Sequence, residues 1–224
     1  MNLRNMIMKI YICLIAFCLI SGIKAQTQNS MTEIIPFKTI DGKIIIEANV
    51  NGETANFALD LAGHNALLPE AVNKLRINTE NTSSFGSYQD FKFKQVSVKK
   101  VYEIGTLTIG NNIFSNNLPT FILEDEPYLR KLGVMGILNS AVFRTSVLTI
   151  DMQRKTITIT QPYRPSYMRL NYRENFELVT GLGIVCSISI QNKTISTILD
   201  TWSDGLINLA EKDFNEWSIL YPKG

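Results

Sequence analysis

Histidine occurs once in this 224-residue chain and cysteine three times. With His64 alone, a histidine-built zinc centre is excluded, as is any relay that needs two imidazoles. The chain has no H-E-x-x-H, no paired C-x-x-C, no G-x-S-x-G and no G-x-x-x-x-G-K-[ST] segment, which removes zincin, nucleophile-elbow and P-loop chemistry. Gly181-Leu182-Gly183 lacks the third glycine of a dinucleotide fingerprint. No cofactor and no metal are therefore expected. Long apolar runs are scarce too. The run at 10–20 falls short of the roughly 20 residues that span a bilayer. Arg4 and Lys9 precede it, and Ser21, Gly22 and Ala25 follow it, so 1–25 reads as a secretory signal peptide. The expected address is exported, periplasmic or secreted, with no stable membrane insertion after cleavage.

Removing that leader takes away Arg4, Lys9 and Lys24 and no acid, so the formal charge falls from +2 to −1. A near-neutral remainder without a dense basic patch argues against nucleic acid as a partner. Cys13 and Cys18 leave with the leader, and Cys186 remains alone in the apolar run GIVCSISI, where a buried core thiol is expected. An exported chain with one cysteine has no internal disulfide and depends on packing.

What is present is an apolar fraction of 45%, ample for a core, cut into short β-branched runs. Asp41-Gly42, Asn51-Gly52, Gly110-Asn111-Asn112 and Gln191-Asn192 punctuate runs at 43–50, 57–59, 106–109 and 118–123. Such spacing reads as hairpins in an all-β fold. Residues 147–160 predict two strands joined around Gln153 and Arg154, with Asp151 only closing a strand. Helix signals are short, at 69–75, 128–132 and 140–144, with Pro69 suited to a first helical position. Prolines and tyrosines at 161–180 mark a connection between a first lobe at 26–160 and the start of a second at 181–224.

Residues 50–60, VNGETANFALD, and 190–200, IQNKTISTILD, align without a gap at an offset of 140. Each reads as a strand, a polar turn and an apolar strand delivering a carboxylate, Asp60 or Asp200. One charge closing an apolar strand is costly to bury. Two at matching places point to carboxylates that meet and share a proton. A fainter echo at 108–125 leads to Val134-Met135-Gly136, where glycine permits close backbone approach.

FALDLAGHNALLP (57–69), VMGILNSAVF (134–143) and SVLTIDMQRKTITI (146–159), in this order, resemble the retropepsin-like and pepsin-like aspartic proteases, here of a bacterial exported type. The second copy extends the resemblance through TILDTWSDGLINL (197–209). It implies an acid-protease-like closed β-barrel lobe and a second, incomplete lobe related by a pseudo-two-fold axis. It further implies Asp60 and Asp200 as catalytic dyad, Thr201 as the hydroxyl that braces the two loops, and Gly63 and Gly136 in support. A flap is implied at 82–91, with Gly86 at its tip and Tyr88 nearby. The departures from the family triplet are Leu61 and Ala62 in the first copy and Trp202 in the second. They remove donors near Asp60 and put a large ring where glycine belongs. His64 is expected to be a hydrogen-bonded loop residue, and Asp204 a cap of the next turn.

The expected function is an aspartic-type endopeptidase acting on extended polypeptide. The alternative is a catalytically inactive protein of the same fold that binds extended peptides, and a third is an unrelated β-barrel carrier in which the repeat is accidental. The short second unit leaves two expectations open: a cut chain, or a minimal lobe that borrows strands, with self-association to complete it.

Overall fold

The computed structural model describes residues 31–83, 87–89, 95–97, 101–123, 126–161, 175–179, 183–190, 193–204, 211–212 and 214–215. The expected leader at 1–25 and Gly86 lie outside them. The chain divides after Ser30, and the fold described is that of the unit from Met31 onward.

Strands dominate: β1 (Met31–Pro36), β2 (Lys38–Ile40), β3 (Lys43–Val50), β4 (Glu53–Leu59), β5 (Ala66–Leu67), β6 (Asn78–Ser83), β7 (Ser87–Gln89), β8 (Gln95–Ser97), β9 (Val101–Ile109), β10 (Asn112–Ile122), β11 (Gly136–Leu138), β12 (Val147–Asp151) and β13 (Thr156–Gln161). The second lobe contributes β14 (Phe176–Val179), β15 (Gly183–Ile190) and β16 (Lys193–Ile198). Short helices at Pro69–Lys74 and Pro127–Lys131 each open on proline, whose missing N–H costs nothing in a first turn. A 3-10 turn covers Ser140–Phe143.

Six strands close a barrel in the order β3-β4-β11-β5-β10-β9. Asn49 opposite Thr108 and Val50 opposite Leu107 return β9 to β3. Closure leaves these strands no free edge, the liability of an open sheet. The all-β expectation holds. The turns form as the dipeptides require: Asp41-Gly42 and Asn51-Gly52 both have positive φ at both residues, the geometry that suits a two-residue hairpin.

β3 is buried at Lys43, Ile44, Ile45 and Ile46 in succession, not alternately, because both of its faces are covered. Ile44, Ile46, Ala48 and Val50 join Phe57, Leu59, Leu107 and Ile109 in the main core. Ile45 and Ala58 point the other way, into a cluster with Leu68, Leu129, Leu132 and Val134. Burying such a side chain stabilises by about 1.5–3 kcal/mol, so packing substitutes for disulfides. The β1-β13-β12 sheet adds Ile35, Ile157 and Ile159 to the main core. Its β12–β13 hairpin turns at 152–155, and Asp151 Oδ1 accepts from the Gln153 and Arg154 amides, so this acid only braces a turn.

In the second lobe β14-β15-β16 form one antiparallel sheet. β14 falls inside the stretch expected as a connection with strand pairing possible within it, and Phe176 to Val179 pair with β15. The β15–β16 register matches that of β3–β4 at the 140-residue offset: Val50 faces Glu53 and Ile190 faces Lys193, Ile45 faces Ala58 and Val185 faces Ile198. The surroundings differ. Ala58 and Leu59, covered by β11, are 0% exposed, whereas Ile198 and Leu199 are 45% and 46% exposed. Cys186, expected in a core, is half-buried on β15 with its Sγ 3.5 Å from Thr197 Oγ1.

Gly136 lies where β11 is inserted between β4 and β5, and a β-carbon there would collide with the Ala66 carbonyl oxygen. Backbone cannot step aside as a side chain can. Gly136→Ala is therefore expected to cost about 1–3 kcal/mol, read as a lower urea midpoint, and an unchanged midpoint would contradict this packing.

Candidate active site

Asp60 is carried at the end of β4, directly after the buried Leu59. Its amide donates to Leu138 O of β11 at 3.0 Å, so strand pairing continues up to the aspartate. Gly63 then reverses the chain with φ +64°, a conformation that favours glycine. Asn139, the residue after β11, ties this loop down. Its Nδ2 donates to Gly63 O at 2.8 Å, and its amide donates to Asn65 Oδ1 at 2.9 Å. Asn65 and Asn139 are both buried. They escaped the sequence reading, although an asparagine directly after an apolar strand is a recognisable place for a loop anchor.

Asp200 follows β16 in the same way. Two residues on from each aspartate, a backbone amide returns to the carboxylate: Ala62 N donates to Asp60 Oδ1 at 2.9 Å, and Trp202 N donates to Asp200 Oδ1 at 2.7 Å. Ser203 N donates to the same Asp200 oxygen at 3.0 Å.

Thr201 connects the loops. Its Oγ1 accepts from Leu61 N at 3.0 Å and donates to Leu59 O at 3.1 Å. One hydroxyl from the second loop thus binds the backbone on both sides of Asp60. At the matching place of the first loop stands Leu61, which has no hydroxyl to return the contact. A second crossing pairs Ala62 with Gly183 as an isolated antiparallel bridge. Gly183 has φ +87°, and a β-carbon on it would collide with Leu61 O.

Trp202 is held by three neighbours. Its ring packs edge-on against Tyr128 at 5.8 Å, lies 5.3 Å from the Lys43 ammonium, and covers the cluster containing Ile45 and Leu129. Asp204 forms an ion pair with Lys43 at 2.5 Å, and the turn it is expected to cap lies outside the described residues. His64 packs its ring against Phe121, with centroids 4.5 Å apart, and burial pushes its pKa down. Tyr88 lies on β7, opposite Val96 of β8. No cluster of three or more potential metal ligands occurs among the described residues.

The Asp60 carboxyl is pushed up to about 7. Burial is the main cause, the Ala62 amide opposes it, the Asp200 charge adds to it, and the Lys43 charge opposes it. A carboxyl kept neutral to near pH 7 can act as an acid there.

No protein-family model matches the chain, and no curated protein matches it. Among solved structures it is similar to a retropepsin-like aspartic protease from Rickettsia conorii, at 20% identity and a TM-score of 0.42, over 59% of this chain and 92% of that chain.

Because the Asp60 pKa is higher folded than unfolded, the folded chain holds the extra proton between about pH 3.8 and 7. That stabilisation is whole below the lower value and is lost as pH rises through the upper one. A carboxyl-carbon NMR titration of Asp60 is expected to show a midpoint near 7, and Asp60→Asn to gain stability over the parent as pH rises through this window. A midpoint near 4 would overturn the burial assigned to this group.

Proposed function

We propose that this chain is an aspartic endopeptidase of the retropepsin-like kind, in which Asp60 and Asp200 act as one acid–base pair. The observation that carries this reading is the double hydrogen bond of Thr201 to Leu59 and Leu61. It joins two loops 140 residues apart at the peptide units flanking one aspartate. The matching hairpin registers and the paired amide-to-aspartate bonds support the same reading.

The two carboxyl groups have different surroundings. Asp200 Oδ1 receives two amide N–H groups. Asp60 receives one on its Oδ1 and is kept protonated by burial up to about pH 7. Asp200 is then the base and Asp60 the acid. Asp200 takes a proton from a water as its oxygen bonds to the scissile carbonyl carbon. Asp60 gives its proton to the carbonyl oxygen. Collapse of the tetrahedral intermediate breaks the C–N bond: the leaving nitrogen takes the proton held by Asp200, and a hydroxyl of the intermediate returns its proton to Asp60 as the carbonyl re-forms. The pair titrates as a unit. The substrate is an extended polypeptide docked as an added strand, in the exported compartment that the leader-like 1–25 implies. The reading includes self-association through the exposed Ile198–Leu199 edge.

Denatured casein, assayed between about pH 3 and 8, is expected to be cleaved, with turnover falling as pH rises through 7. Asp200→Ala and Asp60→Asn are each expected to lose about a hundredfold or more. Equal turnover by parent and variants would remove these residues from the mechanism. A folded parent that binds peptide without cleaving it would favour the inactive binding protein. Sedimentation is expected to show an assembly larger than one chain that Leu199→Asp dissociates; a concentration-independent monomer would sink the association.

A further inference from the structure

Lys43 is the buried charge that this mechanism leaves unused. It opens β3, is 3% exposed, and lies among isoleucines that line the barrel wall. An ammonium buried there is costly unless it is bonded. Among the described residues, its hydrogen-bond and ring partners belong to the loop that follows Asp200. It donates to the Trp202 carbonyl and to Asp204 Oδ1, and it faces the Trp202 ring.

The offset of 140 gives this contact a meaning. Position 43 corresponds to 183, and position 62 to 202. In one direction Gly183 bridges the backbone of Ala62. In the reciprocal direction, between 43 and 202, the lysine side chain reaches the Trp202 carbonyl. A two-fold-related pair of contacts is thus made once by backbone and once by a charged side chain. Only the second brings a positive charge to the pair of aspartates.

We propose that Lys43 is a positioning residue for the Asp60–Asp200 pair: its ammonium fastens the 200–204 loop to the barrel and places a positive charge beside the carboxyl groups. The inference rests on the reading of that site as an acid–base pair. The charged and titratable groups around it are Asp60 at the end of β4, whose proton its charge opposes, Asp204, with which it is ion-paired, and Tyr128, which packs against the same Trp202 ring. With the charge in place, the pair carries its single negative charge without taking up a second proton. With the tether in place, Trp202 stays against Tyr128 and leaves the loop amides aimed at Asp200.

The test uses the full chain in a Trp217→Phe background, so that fluorescence reports Trp202 alone. Lys43→Met is expected to red-shift Trp202 emission, to move the Asp60 titration to higher pH than in the parent, and to lower kcat about a hundredfold through misplacement of the loop. Lys43→Arg is expected to restore all three toward the parent. Lys43→Gln keeps a donor for the Trp202 carbonyl without the charge, and serves if the methionine variant does not fold. It is expected to raise the Asp60 titration while leaving the emission near that of the parent. Unchanged Asp60 titration in folded Lys43→Met or Lys43→Gln would overturn the proposal. If the parent cleaves nothing and the titration and emission still shift, the positioning role stands and the endopeptidase reading falls.

Discussion

A single hydroxyl holds the two aspartate loops in register. Thr201 reaches the carbonyl before Asp60 and the amide after it, so any sliding of one loop against the other breaks both bonds. These bonds lie at the end of β4, where the backbone is already fixed by Leu138 and by the Asn139 contacts to Gly63 and Asn65. The second loop is therefore referenced to the closed barrel. Groups that must exchange protons need this kind of support, because proton transfer depends on separations of a few tenths of an ångström.

The arrangement is asymmetric, and the asymmetry has chemical consequences. A reciprocal hydroxyl from the first loop is absent, since Leu61 occupies its place. Lys43 and Trp202 take over on that side, with an ammonium, a carbonyl and a ring in contact with one another. Burial pushes the Asp60 carboxyl up to about 7, and its Oδ1 accepts one amide where that of Asp200 accepts two. Two similar hairpins thus present carboxyl groups in dissimilar surroundings, the difference on which the proposed acid and base roles rest.

Much of the fold was legible because it rests on local chemistry. Turns at Asp41-Gly42 and Asn51-Gly52 require positive φ, and these dipeptides supply it. Prolines at 69 and 127 open helices where their missing N–H is harmless. The hairpin at 147–161 alternates as its two strands do. Gly136 was legible as a place of close approach, and its neighbour is the Ala66 carbonyl. The role of Lys43 was not legible. A lysine one residue after an Asp-Gly turn reads as solvated, and its burial depends on a loop some 160 residues away. The ion pair of Asp204 was hidden for the same reason, because its partner is distant in sequence. β14 was legible only as possible pairing within a connection, since a strand with exposed Phe176 and Leu178 carries little periodicity.

The sequence by itself determined the hairpins, their turns, the carboxylates at their ends and the offset that relates them, since each follows from side-chain period and φ preference within about ten residues. Tertiary structure alone decided which backbone Thr201 binds, where the Trp202 ring goes, and how strongly Asp60 holds its proton. Those outcomes depend on burial and on charges brought together from opposite ends of the chain. Desolvation and Coulomb energies are properties of a packed neighbourhood, and no run of residues carries them on its own.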